Sequence, residues 1–484
     1  MSFLIDASYL SWLYYALTVA YSLTVVGIIV VVLSENRSPV KSLAWVTVLL
    51  LLPALGIVLY LIFGRSIKNT RMISRRNRRR LRKQDIGTKK TQISRLDLSQ
   101  ESKQLIKLTQ TLSGSTAYTG NDCIVFTSGI DKLDALINDI SEAKRYVNLQ
   151  YYIIEDDTTG QRLKDALIRK AHEGVAIRLI YDNVGSFRVK NAFFRELQNA
   201  GVQVFPFFKV VFPPFGTRIN WRNHRKICII DGEIGYIGGM NIADRYITGG
   251  KSFDSWRDTH LRITGPAVQS LQYSFAVDWN FMGQPLINDD TTTEDYPHVS
   301  EPTQVMQLLT SGPTLQWTTI AILFNRAIAS AKQRVYIQTP YFLPTEGLLK
   351  ALQSSALSGV DVRIMIPTRS DSRMLTSASA SYVAECLKSG MKIYTYDAGM
   401  LHAKTILVDD EWVSVGSTNF DFRSFEHNFE ANIQIYSKSL NAQMAEIFHN
   451  DLKSCTRIYP AQWRKRPMLK KMFSSITRLL SPIL

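Results

Sequence analysis

The sequence predicts an α/β protein of two similar halves, packed pseudo-symmetrically and preceded by a two-helix transmembrane hairpin. Three observations in the 484-residue chain support this class. A spaced motif occurs twice, strand-like apolar runs alternate with helical stretches in a repeat, and two long segments near the N-terminus carry no charge. Strands that alternate with helices are typical of β-α-β units, so the repeat predicts an α/β fold in each half.

The two uncharged segments are residues 7–34 and 42–64, and each exceeds the roughly 20 residues that cross a bilayer. We therefore predict two transmembrane helices within residues 1–64. A cleaved signal peptide is the alternative for the first segment. That segment lacks a basic N-terminal region, is too long, and is followed at once by a second apolar segment.

Positive charge is concentrated in the two segments that flank the central part of the chain, residues 91–460, which is called the body here. Of the net charge of +16, residues 65–90 carry +11 and residues 461–484 carry +6, whereas residues 1–64 sum to zero and residues 91–460 to −1. Positive residues prefer the cytoplasm, so both ends of the hairpin and the body should lie there. The flanking charge favours an anionic membrane surface as a partner and argues against nucleic acid. The alternative for residues 75–83 is a topology signal alone.

After a basic juxtamembrane linker, residues 65–105, the body contains a repeat that indicates duplication with small insertions. The matching strand–helix–strand segments are residues 147–150, 160–171 and 174–178, then 335–338, 347–357 and 359–363. Residues 288–302 are polar and acidic and contain two prolines, which favours a boundary there. We predict a first domain over residues 106–297 and a second over residues 298–460.

The repeated motif is His-x-Lys-x4-Asp-x6-Gly-x2-Asn, and its two copies begin at His224 and His402. Each copy contains a short β-branched run after its lysine, which predicts a buried strand. Side chains at i and i+2 of a strand share a face, so each histidine should project together with Lys226 or Lys404.

The remaining motif positions have other expected roles. Asp231 and Asp409 stand at an odd offset from the histidines, which predicts that they face away and are structural. Gly238 and Gly416 are expected to let the backbone come close to a ligand.

These residue types suit chemistry on a phosphodiester. A neutral histidine can attack phosphorus while a second, protonated histidine gives a proton to the leaving alkoxide. Lysine and asparagine side chains can donate hydrogen bonds to phosphate oxygens. We predict one site split over both halves, with catalytic residues His224, Lys226, His402 and Lys404 and phosphate-binding residues Asn241 and Asn419.

The doubled motif resembles that of the phospholipase D superfamily at all five positions in both copies, and the whole chain resembles the bacterial cardiolipin synthases. The resemblance implies phospholipase D-like α/β sandwich halves, a phosphohistidine intermediate, no metal or other cofactor, and a multi-pass protein of the bacterial cytoplasmic membrane. It implies phosphatidyl transfer between two phosphatidylglycerol molecules with release of glycerol, so phosphatidylglycerol and cardiolipin are the expected lipid partners. His224 would be the nucleophile and His402 the acid, although sequence symmetry alone leaves that order open. Asp231 and Asp409 count with them as members of the catalytic motif.

Asp258 and Glu430 each follow a motif asparagine on a strand-like run. A carboxylate there could accept the second N–H of a catalytic histidine and fix its tautomer, a role that the resemblance also suggests. Their spacings after the asparagine differ, 17 residues against 11, so surface or structural carboxylates are the alternative. His260 and His427 lie near these positions, but neither repeats in the other half, and we do not expect them to be catalytic.

Two further segments have open interpretations. The aromatic, proline-rich residues 205–215 favour core packing, with a lipid-facing entrance to the site as the alternative. The tail, residues 461–484, combines a helical apolar stripe with basic residues and lacks acidic ones. Such a helix can lie in a membrane interface or dock on the body, and we favour the membrane.

The same residues are also compatible with other functions. A phospholipase D would use water as the acceptor, and another phosphatidyltransferase would use a different headgroup alcohol. A nuclease would need a basic groove, which the charge of −1 over residues 91–460 disfavours. A catalytically inactive anionic-lipid-binding protein would normally lack a motif residue. The four cysteines show no C-x-x-C spacing, so they indicate neither a disulfide framework nor a zinc site.

Overall fold

The structure is a computed structural model that describes residues 7–34, 39–52, 55–64, 68, 71–84, 93–209, 221–287, 304–479 and 481. The helices are α1 (Ala7–Ser34), α2 (Pro39–Leu51), α3 (Leu55–Leu59), α4 (Arg75–Gln84), α5 (Gln100–Ser113), α6 (Gly129–Ser141), α7 (Thr158–His172), α8 (Asn191–Asn199), α9 (Arg245–Thr248), α10 (Val268–Phe281), α11 (Thr319–Ala329), α12 (Glu346–Leu357), α13 (Arg373–Lys388), α14 (Phe422–Glu426), α15 (Lys438–Leu452), α16 (Pro460–Arg464) and α17 (Met468–Leu479).

The strands are β1 (Tyr118–Phe126), β2 (Tyr146–Tyr151), β3 (Ala176–Asp182), β4 (Gln203–Phe207), β5 (Ile227–Ile230), β6 (Ile234–Gly238), β7 (Trp256–Arg257), β8 (His260–Thr264), β9 (Gln304–Ser311), β10 (Arg334–Gln338), β11 (Phe342–Leu343), β12 (Asp361–Pro367), β13 (Lys392–Tyr396), β14 (Met400–Leu401), β15 (Thr405–Val408), β16 (Trp412–Gly416), β17 (Phe420–Asp421), β18 (Glu430–Tyr436) and β19 (Cys455–Ile458).

The chain divides into two compact units, and the N-terminal helices belong to the first. Among the described helices, only α1 is long and apolar enough to cross a membrane, over Ser11–Ser34. The second predicted span is divided, since α2 ends at Leu51, α3 covers Leu55–Leu59, and a π-helical turn follows at Tyr60–Gly64. Pro53 falls between α2 and α3 in the sequence, and proline lacks the N–H that a continuous helix requires.

The second unit, which contains most of the body, is built on a sheet of fifteen described strands. Their order is β19-β13-β12-β10-β15-β16-β18-β9-β1-β8-β6-β5-β2-β3-β4. Outward from the centre, β1-β8-β6-β5-β2-β3-β4 corresponds to β9-β18-β16-β15-β10-β12-β13, so both halves have one topology. β1 and β9 pair antiparallel, which satisfies backbone groups that an edge strand leaves open. The halves are joined at this pair, and β16 and β18 of the second half also contact β6 of the first.

Each half contains the predicted β-α-β order. β2 and β3 are parallel and joined through α7, as β10 and β12 are through α12. Each half has its own hydrophobic core between the sheet and its helices. The motif strands β5 and β15 are buried at every residue, which explains their short, apolar, β-branched sequences.

Helix α5 precedes the first half in sequence but packs with the second. Its Leu105 and Ile106 belong to the core of the second half, and the Gln307 side chain of β9 donates to the Ile106 carbonyl at 3.3 Å. The predicted first domain, residues 106–297, thus starts inside a helix that packs with the second half. The predicted boundary at residues 288–302 lies outside the described residues.

Candidate active site

Each motif histidine lies in an extended segment just before its motif strand, and that segment bonds to the backbone of the other half. The His224 N–H donates to the Phe429 carbonyl at 2.9 Å, and the His402 N–H donates to the Arg257 carbonyl at 2.7 Å. A parallel bridge between Asn223 and Phe429 and the parallel β14–β7 pair extend these contacts. The two copies of the motif therefore meet where the halves join.

The histidine–carboxylate pairs are crossed between the halves. His224 Nδ1 lies 3.0 Å from both carboxylate oxygens of Glu430, and His402 Nδ1 lies 2.6 Å from Asp258 Oδ2. The sequence identifies both carboxylates as candidates, but it does not indicate that each contacts the histidine of the opposite half. With Nδ1–H donating to the carboxylate, Nε2 of each imidazole keeps its lone pair for chemistry.

Each carboxylate is itself held in place. Glu430 accepts hydrogen bonds from the Ser417 hydroxyl and from Asn428 Nδ2, the latter at 3.2 Å. Asp258 accepts the Thr259 N–H at 2.7 Å. Gly239, the counterpart of Ser417, leaves room for Asp258, since a Cβ at position 239 would lie 2.1 Å from its Oδ1. The two halves therefore support their carboxylates by different means.

Both imidazoles are buried, and this controls their protonation. Burial lowers the pKa of His224 to about 4 despite the opposing effect of the Glu430 carboxylate. Burial and the charge of Lys404 lower the pKa of His402 to about 4. Burial alone would raise the pKa of Asp258 and Glu430, but the adjacent cations and histidines lower both. Before substrate binds, the site holds two neutral imidazoles against two ionised carboxylates.

The motif lysines lie on the same side as their histidines. Lys226 Nζ donates to the His224 carbonyl and Lys404 Nζ to the His402 carbonyl, both at 2.5 Å. Burial lowers the pKa of Lys404 to about 8 and that of Lys226 well below its ordinary value. The charge of Lys404 also acts on His224 and Lys226, so the two copies lie within electrostatic range of each other.

The two motif asparagines differ in their contacts. Asn241 Oδ1 accepts the Ile153 N–H at 3.0 Å, and its Nδ2 donates to the Tyr246 hydroxyl. Asn419 Oδ1 is buried and has no hydrogen-bond partner in the described part of the chain. One amide proton of each asparagine is therefore committed to the protein, that of Asn241 to Tyr246 and that of Asn419 to the Asp421 carboxylate.

The motif aspartates lie at the far ends of their strands from the histidines. Asp231 accepts the backbone N–H groups of Lys144, Arg145 and Tyr146, and Asp409 accepts those of residues 332–334. Each carboxylate thus closes the turn that leads into β2 or β10. This is a structural geometry, in line with the alternation argument and not with a catalytic role.

The motif glycines allow close packing against a neighbouring strand, and the expectation that they let the backbone approach a ligand stays a prediction. A Cβ at Gly238 would lie 2.5 Å from the His260 Cα, and one at Gly416 would lie 2.3 Å from the Ala431 carbonyl oxygen. Both positions face the neighbouring strand, β8 or β18.

Sequence reasoning missed the aromatic residues around the imidazoles. Tyr152 contacts the His224 ring edge-on with a centroid distance of 4.9 Å, and Lys226 Nζ lies 5.1 Å from the Tyr152 ring centroid. Trp256 and Tyr246 lie 5.2 and 5.7 Å from the His402 ring. Tyr152 directly follows the Gln-Tyr of the repeat, which is the signal that could have identified it.

Two buried Arg–Asp–Gln networks lie behind the histidines. In the first half, Asp278 accepts hydrogen bonds from Arg225 and Gln150, both at 2.5 Å. In the second, Asp451 accepts from Arg257 at 3.0 Å and from Gln338 at 2.7 Å. The glutamines occupy equivalent positions in the repeat. The arginines do not: Arg225 contacts an aspartate of its own half, whereas Arg257 of the first half contacts Asp451 of the second.

The other histidines near the site stay outside it. His260 is fully buried on β8, and neither ring nitrogen has a hydrogen-bond partner among the described residues. His427 follows α14 and caps its end through a backbone bond to Arg423. In the described ranges no group of three or more His, Cys, Asp or Glu side chains is placed to hold a metal ion.

In the described part of the aromatic segment, Phe207 belongs to the core, and Phe205, Pro206 and Phe208 are half-buried. Phe207 is fully buried, with its ring 5.3 Å from that of Phe429, and Phe208 lies 5.6 Å from Phe281. Phe429 supplies the carbonyl that holds His224, so this cluster supports the site from behind. Residues 210–215 lie outside the described residues.

Comparisons with known proteins agree with this architecture. Residues 136–279 and 324–452 match the family described as "Cardiolipin synthase, PLD-like domain", and residues 22–65 match "Phospholipase_D-nuclease N-terminal". The chain is 39% identical to "Major cardiolipin synthase ClsA" of Bacillus subtilis (strain 168) over 480 residues, covering 97% of this chain and 98% of the relative. It is also 39% identical to "Cardiolipin synthase" of Listeria monocytogenes serotype 4b (strain CLIP80459), covering 97% and 99% of the two chains.

A solved structure shares the fold. The phosphatidylserine synthase of Haemophilus influenzae Rd KW20 superposes with a TM-score of 0.59 at 15% identity, covering 79% of this chain and all of that one. At that identity the likeness concerns architecture alone.

Proposed function

Because this chain belongs to the cardiolipin synthase family of the phospholipase D superfamily, we propose that it joins two phosphatidylglycerol molecules into cardiolipin and releases glycerol. The observation that carries this proposal is the pair of crossed histidine–carboxylate contacts, His224 with Glu430 and His402 with Asp258. They give one site two imidazoles with oriented, available Nε2 atoms.

In the first step, Nε2 of His224 attacks the phosphorus of one phosphatidylglycerol. The bond between phosphorus and the glycerol headgroup oxygen breaks, and His402 gives its proton to that oxygen. The order of the histidines follows the family resemblance. An anionic phosphodiester beside His402 favours the imidazolium, so His402 takes up a proton from solvent as the substrate binds and then acts as the acid.

In the second step, neutral His402 takes the proton from a hydroxyl of a second phosphatidylglycerol. The resulting oxygen nucleophile attacks the phosphohistidine, the phosphorus–nitrogen bond breaks, and cardiolipin leaves with His224 neutral again. The proton that His402 gives to glycerol in the first step is replaced in the second by the proton of the attacking hydroxyl, so His402 ends one turnover as it began. No metal or other cofactor enters this scheme.

Charge that develops on the phosphate oxygens requires donors fixed beforehand. Lys226 and Lys404 are buried and positioned by the histidine carbonyls. Asn241 and Asn419 each contribute the amide proton that is not bonded within the protein. Such preorganised donors act strongly in a site that excludes water.

We further propose that the protein spans the bacterial cytoplasmic membrane with its body in the cytoplasm. Helix α1 has the length and hydropathy of a span, and residues 65–90 carry +11 of charge directly after the second apolar segment. Positive residues at that place favour retention on the cytoplasmic side and contact with anionic lipid.

The test is product analysis with purified full-length protein and headgroup-labelled phosphatidylglycerol in mixed micelles, beside His224→Ala and His402→Ala. Free glycerol together with cardiolipin, both lost in the two variants, supports the proposal. The exposed His172 gives a matched His172→Ala control that should keep full activity. Phosphatidic acid in place of cardiolipin would make the protein a hydrolase, and full activity in either site variant would overturn the mechanism.

A further inference from the structure

The C-terminal helix α17 is docked on the body with its polar side inward. Ser474 and Thr477 are buried, with 3% and 2% of their surface exposed, whereas Leu469 and Leu479 are 79% and 80% exposed. The exposed apolar residues form one stripe, here called the outer face: Met468, Leu469, Met472, Phe473, Ile476 and Leu479. In a water-soluble body the opposite orientation would be normal, because apolar burial stabilises helix docking.

Specific polar contacts hold α17 in this orientation. The Ser474 hydroxyl lies 3.3 Å from that of Ser377 on α13, and Arg478 forms an ion pair with Glu385. The Arg478 guanidinium also lies 4.3 Å from the centre of the Tyr382 ring. These contacts between polar side chains of α13 and α17 fix the orientation of α17, so its apolar face points away from the body.

Basic residues surround the outer face. Arg464, Lys465, Lys470 and Lys471 are exposed, and residues 461–484 contain six basic side chains and no acidic one. A second copy of this chain offering the same face would place these positive charges against each other. An anionic surface complements them, and an exposed apolar stripe with a basic border is the pattern of helices that lie in a bilayer interface.

The helix on which α17 docks begins close to the active site. Asp371, two residues before α13, accepts a hydrogen bond from the Tyr341 hydroxyl at 2.5 Å, and its negative charge partly offsets the burial that lowers the pKa of His402 and Lys404. Ser377, which contacts α17, lies about one turn into α13. Helix α13 therefore contacts α17 along its length and begins next to the active site.

We propose that α17 is a membrane-contact helix that lays its outer face into an anionic lipid bilayer and seats the body on it. We assign an interaction surface here, and its spin-label test does not depend on the reaction proposed above, whereas the kinetic test rests on that reaction. It also resolves the two interpretations of the tail, because the helix docks on the body and meets lipid at the same time.

The direct test is spin labelling of the full-length chain in bilayer discs of phosphatidylglycerol. Cys123 and Cys455 are first replaced by serine, since Cys228 and Cys386 are buried, and one label is placed at Ile476→Cys. A matched label at Leu357→Cys reports an exposed leucine of α12 outside the outer face. Collisions with oxygen, which concentrates in lipid, are compared with collisions with a water-soluble nickel chelate.

The expected result is high oxygen and low nickel accessibility at position 476 and the reverse at position 357. High nickel accessibility at position 476 would overturn the proposal, because the face would be in water. Protection from both reagents would also overturn it, since the face would then be covered by protein such as a second copy.

A second measurement addresses the consequence for lipid access. The double variant Met472→Ser, Ile476→Ser should bind phosphatidylglycerol vesicles more weakly, so the KM for vesicle substrate should rise several-fold. Its kcat with detergent-dispersed short-chain substrate should be unchanged. Leu357→Ser is the control and should alter neither value. An unchanged vesicle KM in the double variant, or an equal loss with dispersed substrate, contradicts the proposal.

Discussion

His224 and His402 each rely on a carboxylate that lies 206 or 144 residues away along the chain, in the opposite half. The motif spacing makes the histidines, lysines and asparagines identifiable from sequence because each copy is local. The crossing of the carboxylates is not identifiable, since local sequence carries no information about which half supplies a contact. The same limit hides Tyr152, Trp256 and Tyr246, whose ring contacts arise only after folding.

Roles of the two histidines should separate with an activated substrate. A phosphatidyl ester of p-nitrophenol has a leaving group that needs no proton, so His402→Ala should still release nitrophenol in a burst of about one equivalent. His224→Ala should release none, because the nucleophile is absent. Rapid mixing with absorbance detection measures the burst. With glycerol as the leaving group, the rate of His402→Ala should fall by about 10²–10⁴-fold, which is the usual contribution of a general acid. A burst in His224→Ala instead would reverse the assignment.

The pH dependence of that burst should be broad. Neutral His224 is the reactive form and its pKa is lowered to about 4, so kcat/KM with the activated substrate should fall only as the pH drops towards about 4. The Lys404 pKa is lowered to about 8, so phosphate stabilisation should weaken as the pH rises through about 8. A stopped-flow series across this range checks both limbs. An acid limb at the ordinary histidine pKa, near 6.5, would contradict the effect of burial.

At the scale of elements, strands and helices with strong patterns were predictable and their partners were not. The runs at residues 147–150 and 335–338 form β2 and β10, and the helical stretches form α7 and α12. Helix α5 is amphipathic by sequence, but nothing local indicates that it packs in the core of the second half. Likewise, strand alternation places Asp231 away from the site, whereas its three backbone partners come from a turn 85 or more residues earlier.

The Arg257–Asp451 contact should matter for stability as well as for the site. Both side chains are mostly buried and the Arg257 carbonyl positions His402, so Arg257→Ala leaves a buried carboxylate without its partner. Breaking a buried pair costs about 3–5 kcal/mol, which should appear as a clear drop in Tm together with lost activity. Arg162→Ala removes an exposed pair with Asp134 and is the matched control, with an expected cost under about 1 kcal/mol. Equal Tm values for both variants would refute this role.

At the scale of the whole molecule, duplication explains both the symmetry and its exceptions. The sheet order is the same in each half outward from β1 and β9, which the repeat offset predicts. The pairing of β1 with β9 was not predictable, because the sequence of an edge strand does not indicate which strand it will pair with. Support for the carboxylates has also diverged, with Gly239 facing Asp258 and Ser417 bonding Glu430.

The proposed membrane topology, with the body and both ends of the hairpin on the cytoplasmic side, can be tested on the complete chain. In intact cells whose outer barrier admits the reagent, a membrane-impermeant maleimide should label Ser38→Cys in the segment between the apolar stretches. If the body is cytoplasmic as proposed, it should not label Ser439→Cys, which is exposed on α15, until the membrane is permeabilised. Both are serine replacements, so reactivity differs by location alone. Labelling of position 439 in intact cells, with position 38 silent, would invert the proposed orientation.

The crossed pairs have a consequence for the newborn chain. Synthesis proceeds from the N-terminus, so the first half emerges with His224, Lys226 and Asn241 long before Glu430 exists. During that interval the imidazole has no carboxylate to fix its tautomer, and its backbone N–H lacks the Phe429 carbonyl. We therefore expect a chain that ends before Phe429 to be inactive on phospholipid, because His224 lacks both of these contacts.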